Sequence, residues 1–218
     1  MDVDIKHAMR PYVIINCASS ADGKLALKTR KQTRISSEQD IERVQRLRAS
    51  CDAILVGVGT VLADDPSLLV NPKFMTGGKQ PIRVVLDSRL RTPPSAKVLS
   101  GGAKTIIFVS EGHRGNQKGA DVVEAGKGPV DIGAALAHLS RLGVRRLMVE
   151  GGGTVIWSFL RSGFWDELKV FVGCIALGGG GPTVADGEGA ASLAGAVRMR
   201  LAKSTPMEGG ILLEYAPA

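Results

Sequence analysis

The chain has 218 residues, of which 44% are hydrophobic and 4% aromatic, and it carries a net charge of +7 at pH 7. This length can bury a full hydrophobic core, whereas so few aromatic residues leave little material for the stacking platforms of RNA-binding domains. Basic and acidic residues are interspersed apart from short clusters such as residues 28–31. The charge therefore favours anionic metabolites or a simple basic surface over a nucleic acid.

The cysteines and histidines predict neither a metal site nor a disulfide framework. Cys17, Cys51 and Cys174 are far apart and form no C-x-x-C pair, and the three histidines lack the spacing of a zinc site. Cys17 and Cys51 are interpreted as small buried apolar residues. No apolar run has the length of a membrane span and the N-terminus lacks a signal-peptide pattern, so we expect a cytoplasmic protein without membrane contact.

Short apolar runs alternate with amphipathic segments along most of the chain. In chain order, the predicted elements are a strand at 12–18, a helix capped by Ser36 or Ser37, a strand at 53–57, a short helix ended by Pro66, an exposed loop at 71–80, strands at 82–87, 105–109 and 120–124, a helix at 131–141, a strand at 146–150 and a helix at 154–162. This alternation predicts an α/β fold with a largely parallel sheet that helices cover on both faces.

The last third of the chain has a different pattern. Segments 168–176, 197–203 and 210–215 read as strands without an intervening helix, which predicts an antiparallel addition at the edge of the sheet. No linker or internal repeat interrupts the sequence. We therefore expect a single domain over residues 1–218, with a short tail at 1–10.

A strand, three glycines and a helix follow one another at residues 147–162. Glycines at such a turn let a ligand approach the backbone, and the helix start offers N–H groups and a partial positive charge, which suits a phosphate or pyrophosphate. An ordinary turn has the same composition. The sequence contains no Walker loop, and Ile156 stands where the dinucleotide fingerprint needs its third glycine, so a Rossmann dehydrogenase is not indicated.

Polar side chains follow several of the predicted strands. They are Lys24, Thr60 with Asp64, Asp87 with Ser88, and Glu150. Since the carboxyl ends of parallel strands share one edge, where ligands normally bind, these residues predict a crevice for a nucleotide-type ligand. Each also has an ordinary explanation, because Asp64 can stabilise a helix end, Asp87 can fix a turn and Lys24 can simply be solvated.

Five motifs occur in the order found in a known family. They are Ser-Ala-Asp-Gly-Lys at 20–24, Leu-Arg-Ala at 47–49, Val-Gly-Val-Gly-Thr-Val-Leu-Ala-Asp-Asp-Pro at 56–66, Arg-Val-Val-Leu-Asp-Ser at 83–88 and Val-Glu-Gly-Gly-Gly-Thr at 149–154. Together they resemble the riboflavin-pathway pyrimidine reductases over residues 10–215. The string at 56–66 is the most specific of the five.

The resemblance implies a dihydrofolate-reductase-like fold, NADPH or alternatively NADH as hydride donor, and a homodimer. It also implies reduction of the ribose C1′ of 2,5-diamino-6-ribosylamino-4(3H)-pyrimidinone 5′-phosphate to the ribitylamino compound, with hydride delivered to the ring-opened Schiff base. Bacterial members are fused to a zinc deaminase, whose signature this sequence lacks. The chain is therefore most similar to the stand-alone, archaeal type.

The resemblance also assigns residues to ligands. The implied cofactor contacts are Ala18, Thr60, Asp64, Ser88, Gly151, Gly152, Gly153 and Thr154, within a segment that extends to Ser158. The implied substrate contacts are Lys24, Arg48, Leu68 and Glu150. Lys24 and Arg48 suit a phosphate or sugar, and Glu150 suits the amino and hydroxyl donors of the substrate. No residue is assigned to proton transfer; Asp64 and Glu150 are candidates for orienting groups.

Four points stay open at this level. Asn71 stands where bacterial members often carry an arginine, which leaves one phosphate contact undetermined. Arg89, Arg91 and Arg114 are all candidate partners for the 2′-phosphate of NADPH, and Arg48 could instead stabilise a helix end. The alternative functions are reduction of another pterin or pyrimidine on the same fold, and a non-catalytic module that binds nucleotides or nucleic acid.

Overall fold

The computed structural model describes residues 10–30, 33–75 and 78–218, so the predicted tail lies outside it except for Arg10. The strands are β1 (Tyr12–Ser20), β2 (Ala53–Gly57), β3 (Ile82–Leu86), β4 (Thr105–Val109), β5 (Asp121–Glu124), β6 (Arg146–Val149), β7 (Glu167–Gly173), β8 (Met199–Met207) and β9 (Gly210–Pro217). The α-helices are α1 (Glu38–Ala49), α2 (Val58–Asp64), α3 (Ile132–Arg141) and α4 (Gly153–Ser162). Short 3-10 helices occupy Pro72–Phe74, Lys97–Leu99 and Leu193–Gly195.

All nine strands belong to one sheet, in the order β5-β4-β3-β2-β6-β1-β7-β9-β8. The pairs among β1 to β7 are parallel, while β9 pairs antiparallel with both β7 and β8. The predicted parallel sheet with an antiparallel C-terminal addition is therefore confirmed. Because β6 returns between β2 and β1, the strand order reverses there, and a crevice opens at the carboxyl ends of these strands.

Helices cover the sheet on both faces, as predicted. On one face, α3 and α4 contribute Leu136, Leu139 and Phe159 to an apolar cluster that includes strand residues such as Val13. On the other face, α2 contributes Val61 to a second cluster, against which α1 also packs. Burial of these large aliphatic and aromatic side chains is the main favourable term in the stability of the domain.

Local end signals place most element boundaries where the sequence indicated. The Ser37 hydroxyl accepts a hydrogen bond from the Asp40 N–H at the start of α1, and Gly163 ends α4 in the left-handed conformation. Three predictions differ from the structure. The strand predicted at 197–203 is the longer β8, Met199–Met207. The apolar run at 168–176 leaves the sheet after Gly173, where Ile175 donates back to the Gly173 carbonyl, and the predicted loop at 71–80 contains the 3-10 helix Pro72–Phe74.

The three cysteines lie in different environments. Cys51 is buried as expected, Cys17 is half-buried and Cys174 is exposed. Desolvation by burial raises the pKa of Cys17 to about 12 and also raises the pKa of Cys51. Because the thiolate is the reactive form, we expect a thiol reagent at pH 8 to modify Cys174 rapidly, the half-buried Cys17 slowly and the buried Cys51 only on unfolding.

Thiol counting with Ellman's reagent tests this prediction. The native protein should show one fast thiol, and the Cys174→Ser variant should show no fast phase. A fast phase that survives in Cys174→Ser would contradict the burial argument for Cys17 and Cys51.

Candidate functional site

A cleft of about 1120 Å³ opens at the carboxyl edge of the parallel strands. Its walls come from the end of β1, the β2–α2 turn, the segment after β3 and the β6–α4 turn. It is lined by all eight residues that the sequence assigned to the cofactor, namely Ala18, Thr60, Asp64, Ser88, Gly151, Gly152, Gly153 and Thr154. The parallel topology therefore brings together residues that lie up to 136 positions apart, from Ala18 to Thr154.

A smaller cavity of about 390 Å³, here called the side cavity, adjoins the cleft. Thr60, Asp64 and Glu150 line both spaces, and Arg48 and Leu68 line the side cavity alone. Three of the four predicted substrate residues therefore meet around it. A ligand in the cleft and a second ligand extending into the side cavity would both contact Glu150.

The three glycines of the β6–α4 turn differ in what surrounds them. A Cβ on Gly151 would lie 3.1 Å from the Gly57 nitrogen, and a Cβ on Gly153 would collide with the Thr183 carbonyl oxygen and lie 2.7 Å from Asp186 Cβ. Close packing of protein segments therefore explains Gly151 and Gly153. Gly152 is different, because a Cβ there would meet only Thr60 Oγ1, at 3.6 Å. Gly152 lines the cleft, and no close packing contact requires a glycine there.

The two turns at this edge are linked directly. The Gly152 N–H donates to Thr60 Oγ1 at 3.2 Å, which ties the β6–α4 turn to α2. Because α4 begins at Gly153, its first backbone N–H groups have no partner within the helix and carry the positive end of the helix dipole. This arrangement is suited to an anionic group lying against the turn.

Arg48 and Glu150 bind each other. Arg48 Nε donates to one carboxylate oxygen of Glu150 at 2.6 Å and Nη2 donates to the other at 2.5 Å. Their side chains are only 18% and 12% exposed. Burial alone would lower the pKa of Arg48, but the Glu150 charge and hydrogen bonds outweigh it, so the pKa lies above its usual value. Two of the predicted substrate groups thus form one buried ion pair.

Lys24 lies beside the cleft without lining it. Its backbone pairs with Thr183 in an isolated bridge, and its neighbour Leu25, which does line the cleft, donates to the Pro182 carbonyl at 2.8 Å. The same loop is held at Asp22, whose carboxylate accepts hydrogen bonds from Ser20 Oγ and from backbone N–H groups that follow β7. These contacts lower the pKa of Asp22 to about 2.

Other predicted residues have structural roles. The Leu68 side chain is 1% exposed and belongs to the apolar cluster under α1 and α2, so it can only shape the side cavity. Asp87 is buried and accepts hydrogen bonds from the Thr92 N–H and hydroxyl. It therefore fixes the turn after β3, which was the ordinary explanation for this residue and not a ligand contact. Asn71 lines neither space, and its side chain caps the helix Pro72–Phe74.

Among the three candidate arginines for a 2′-phosphate, Arg91 alone lines the cleft. Sequence reasoning missed several further lining residues on loops, including Arg30, Arg34 and Val130. They carry no motif, and only the course of the loops reveals them. Within the described ranges, no group of three or more His, Cys, Asp or Glu side chains could hold a metal ion, and no helix is long and apolar enough to cross a membrane.

Comparison with known proteins identifies relatives that match most of the chain. The family model described as the RibD C-terminal domain matches residues 11–213 of this chain. A protein of Methanothermobacter thermautotrophicus named 2,5-diamino-6-ribosylamino-4(3H)-pyrimidinone 5′-phosphate reductase is 44% identical over 213 residues, which cover 95% of this chain and 98% of the relative. A protein of Archaeoglobus fulgidus with the same name is 49% identical over 193 residues, or 83% of this chain and 88% of the relative.

Solved structures agree with this match. RibD of Acinetobacter baumannii superimposes with a TM-score of 0.83 at 26% identity, covering 97% of this chain and 59% of that one. The riboflavin biosynthesis reductase Rib7 of Saccharomyces cerevisiae has a TM-score of 0.77 at 22% identity, covering 97% and 92%. At that identity the yeast structure supports the fold alone.

Proposed function

The chain belongs to the RibD C-terminal domain family, the pyrimidine reductases of riboflavin biosynthesis with a dihydrofolate-reductase-like fold, and on this premise we propose an NADPH-dependent reductase acting on 2,5-diamino-6-ribosylamino-4(3H)-pyrimidinone 5′-phosphate. The product is the ribitylamino compound. The observation that carries the proposal is the cleft at the carboxyl edge, where the Gly152 turn, Thr60 and Glu150 meet.

The residues of the cleft fit a dinucleotide. The space in front of Gly152 and the first N–H groups of α4 suit the pyrophosphate, while Ala18, Thr60 and Ser88 line the remaining walls. When bound, NADPH supplies a hydride, and the chemistry is that of the coenzyme. The protein contributes binding, orientation and the exclusion of water from the reacting carbon.

We assign the substrate to the region where the cleft meets the side cavity. There the Glu150 carboxylate accepts hydrogen bonds from the amino groups of the pyrimidine or from ribose hydroxyls of the substrate, and Asp64 orients the nicotinamide ribose of the coenzyme. Lys24 is the proposed phosphate partner, and Leu68 shapes the wall. Opening of the ribosylamine forms a C1′=N bond; addition of a hydride at C1′ and a proton at nitrogen then yields the ribitylamine.

Arg91 supports NADPH over NADH. It lines the cleft with an exposed side chain, and its Nε lies 3.5 Å from Asp87 Oδ1. A guanidinium binds a phosphate strongly, so we expect Arg91→Met to raise the KM for NADPH about tenfold and to leave the KM for NADH unchanged. Arg114→Met is the matched control, since Arg114 pairs with Glu124 and does not line the cleft.

Steady-state kinetics with both coenzymes measure this effect. An equal loss with NADPH and NADH in Arg91→Met would remove Arg91 as the partner of the 2′-phosphate.

We expect alanine substitutions at Gly152 and Gly153 to have different effects, the first on coenzyme binding and the second on stability. Gly152→Ala should fold normally and raise the KM for NADPH at least tenfold, because its methyl group extends into the cleft. Gly153→Ala should lower the free energy of unfolding by about 1–3 kcal/mol, because the loop with Thr183 must move. Thermal unfolding and coenzyme titration of both variants separate the two effects. Normal NADPH affinity in Gly152→Ala would contradict the placement of the coenzyme.

We also propose one domain over the whole chain and a homodimer. The nine strands of the described residues form one sheet, and β8 at its edge carries the exposed side chains of Met199 and Leu201. An open strand edge with exposed apolar groups is suited to a second copy. Light scattering should give twice the chain mass, and Leu201→Lys should favour the monomer.

The direct test of function is substrate-dependent oxidation of NADPH, with NADH in parallel. Freshly generated ribosylaminopyrimidine phosphate should cause loss of the reduced coenzyme and formation of the ribitylamino product. If the protein binds NADPH but consumes none, a different pyrimidine or pterin is the substrate. If it binds no coenzyme, the proposal is wrong, and salt-sensitive binding to a polynucleotide would then indicate a non-catalytic module.

A further inference from the structure

The hydroxyl of Ser36, just before α1, lines the cleft and has a fixed hydrogen-bond direction. Ser36 Oγ lies 2.6 Å from Asp40 Oδ2, and the Asp40 side chain is only 1% exposed. Because a carboxylate can only accept hydrogen bonds, the hydroxyl proton points to Asp40, at a distance typical of an O–H donor and a charged acceptor. What Ser36 can still offer to a ligand is its acceptor lone pairs.

Asp40 is held from its other side. Arg43 Nε donates to Asp40 Oδ1 at 2.8 Å, and Arg43 Nη2 donates to the side-chain oxygen of Asn16 in β1, also at 2.8 Å. Arg43 and Asn16 are largely buried, so water competes little for these contacts. The chain of hydrogen bonds from β1 through Arg43 and Asp40 therefore fixes the position of Ser36 and the direction of its hydroxyl.

Two other hydroxyls of the cleft have the opposite polarity. Thr60 Oγ1 accepts from the Gly152 N–H and Ser88 Oγ accepts from the Val130 N–H, both at 3.2 Å. Each keeps its proton for an acceptor on the ligand, such as a phosphate oxygen. Ser36 is suited to the reverse case, an N–H or O–H donor, and is unsuited to an anion.

A similar contact outside the cleft shows what distinguishes Ser36. Ser20 Oγ also donates to a carboxylate, that of Asp22, at 2.6 Å, but it accepts the Lys24 N–H at 2.9 Å and does not line the cleft. Its hydrogen bonds are all used within the protein. Within the described ranges no protein donor reaches Ser36 Oγ, so its acceptor positions are left for a ligand.

The strand order places Ser36 on the side of the β6–α4 turn that faces away from Arg91. Along the carboxyl edge, Arg91 follows β3, the β6–α4 turn comes next, and β1 and β7 lie beyond it. The segment with Ser36 lies at the ends of β1 and β7, since a Cβ on Gly173 would be 2.9 Å from the Ile35 side chain. With the 2′-phosphate at Arg91 and the pyrophosphate at the turn, as proposed, the nicotinamide half extends toward β1.

Resting on the proposed function, we infer that Ser36 binds the nicotinamide carboxamide of the coenzyme by accepting a hydrogen bond from its N–H group. The other donors of that half are the ribose hydroxyls, which are assigned to Asp64. Asp40 and Arg43 are positioning residues, which act on the coenzyme through Ser36. Ser36 lines the cleft with the residues assigned to the cofactor and does not line the side cavity.

Coenzyme titration tests this inference without turnover. The dissociation constant of NADPH is measured by fluorescence for the wild type, Ser36→Ala, Asp40→Asn and the double variant. Ser36→Ala removes one neutral hydrogen bond and should weaken binding about three- to tenfold.

Asp40→Asn should reverse the polarity of Ser36. Arg43 still requires an acceptor at Oδ1, so the new amide N–H group faces Ser36 and turns its proton toward the coenzyme. We expect NADPH to bind about tenfold more weakly or worse, and the double variant to bind like Ser36→Ala alone. A merely structural effect of Asp40→Asn would not depend on the residue at position 36.

An analogue identifies the donor. The reduced 3-acetylpyridine analogue of NADPH carries a methyl ketone in place of the carboxamide and therefore lacks its N–H groups. Ser36→Ala should leave the affinity for this analogue unchanged. An equal loss with NADPH and with the analogue would overturn the assignment to the carboxamide.

Asp166→Asn is the matched control. Asp166 also binds an arginine, Arg10, through both oxygens, but it lines neither space, so this variant should bind NADPH normally. Thermal unfolding establishes that each variant is folded, and the comparison of Ser36→Ala with the analogue does not require Asp40→Asn to fold.

Opposite results overturn the inference in distinguishable ways. Equal NADPH affinity in the wild type and Ser36→Ala would overturn it and leave the proposed function intact. Unchanged affinity in Asp40→Asn, or a loss that persists in full in the Ser36→Ala background, would show that Asp40 does not act through Ser36. A wild type that binds no NADPH would overturn the proposed function and this inference together.

Discussion

Replacing Glu150 by glutamine is expected to lower kcat/KM about 100-fold while the protein remains folded. Glu150 follows β6, lines both the cleft and the side cavity, and presents its carboxylate through the ion pair with Arg48. Glutamine keeps the shape but removes the charge and replaces one acceptor by a donor, and losses of this size follow removal of a single oriented polar group from an active site.

Stability should change much less than turnover in this variant. Replacement of one charged hydrogen-bond partner costs about 1–3 kcal/mol, which leaves a domain of this size folded. Steady-state kinetics and thermal unfolding provide the two readouts. Glu42→Gln is the control, since it removes an equivalent carboxylate from the exposed pair with Arg46. Unchanged kcat/KM in a folded Glu150→Gln protein would exclude Glu150 from the site.

Replacing Arg83 by methionine is expected to lower the free energy of unfolding by about 3–5 kcal/mol. The Arg83 side chain is 0% exposed within β3. Its guanidinium donates to the backbone carbonyls of Lys97, Ser100 and Ala103, at 3.4, 2.6 and 2.7 Å, and burial lowers its pKa. Methionine fills part of the space but leaves these carbonyl groups without their donor.

Urea unfolding measures the effect of Arg83→Met. Arg89→Met is the control, because Arg89 is exposed in the turn that follows β3 and its loss should change stability by less than about 0.5 kcal/mol. An Arg83→Met protein within about 1 kcal/mol of the wild type would mean that water or other donors replace the guanidinium. Such a result would contradict the role of Arg83 as the buried anchor of the segment 97–103.

Much of the site was predictable because its motifs are local. The glycine turn at 151–153 and the helix start that follows depend on neighbours within a few positions, and so do the β2–α2 turn and the cap at Ser37. Parallel strands then place these turns at one edge by general topology. The specific motif at 56–66 also indicated the family, and the match of the family model over residues 11–213 confirms it.

Other features required the folded chain. Nothing near Arg83 in sequence indicates that an arginine within an apolar strand is fully buried, since its three acceptors lie 14 to 20 positions away. The choice of Arg91 over Arg89 and Arg114 as a residue of the cleft depends on the course of the segments that follow β3 and β4. Likewise, Gly153 is required by the distant Thr183 and not by a ligand.

The sequence by itself determined the identity and order of most elements, the α/β class and the glycine turns at the carboxyl edge, because hydrophobic periodicity, caps and glycine turns are local properties of the chain. Tertiary structure alone decided that β6 lies between β2 and β1, that Leu68 is a core residue and that Arg48 binds Glu150. Contacts between residues about 100 positions apart depend on how all the elements pack together, and no local pattern specifies that packing.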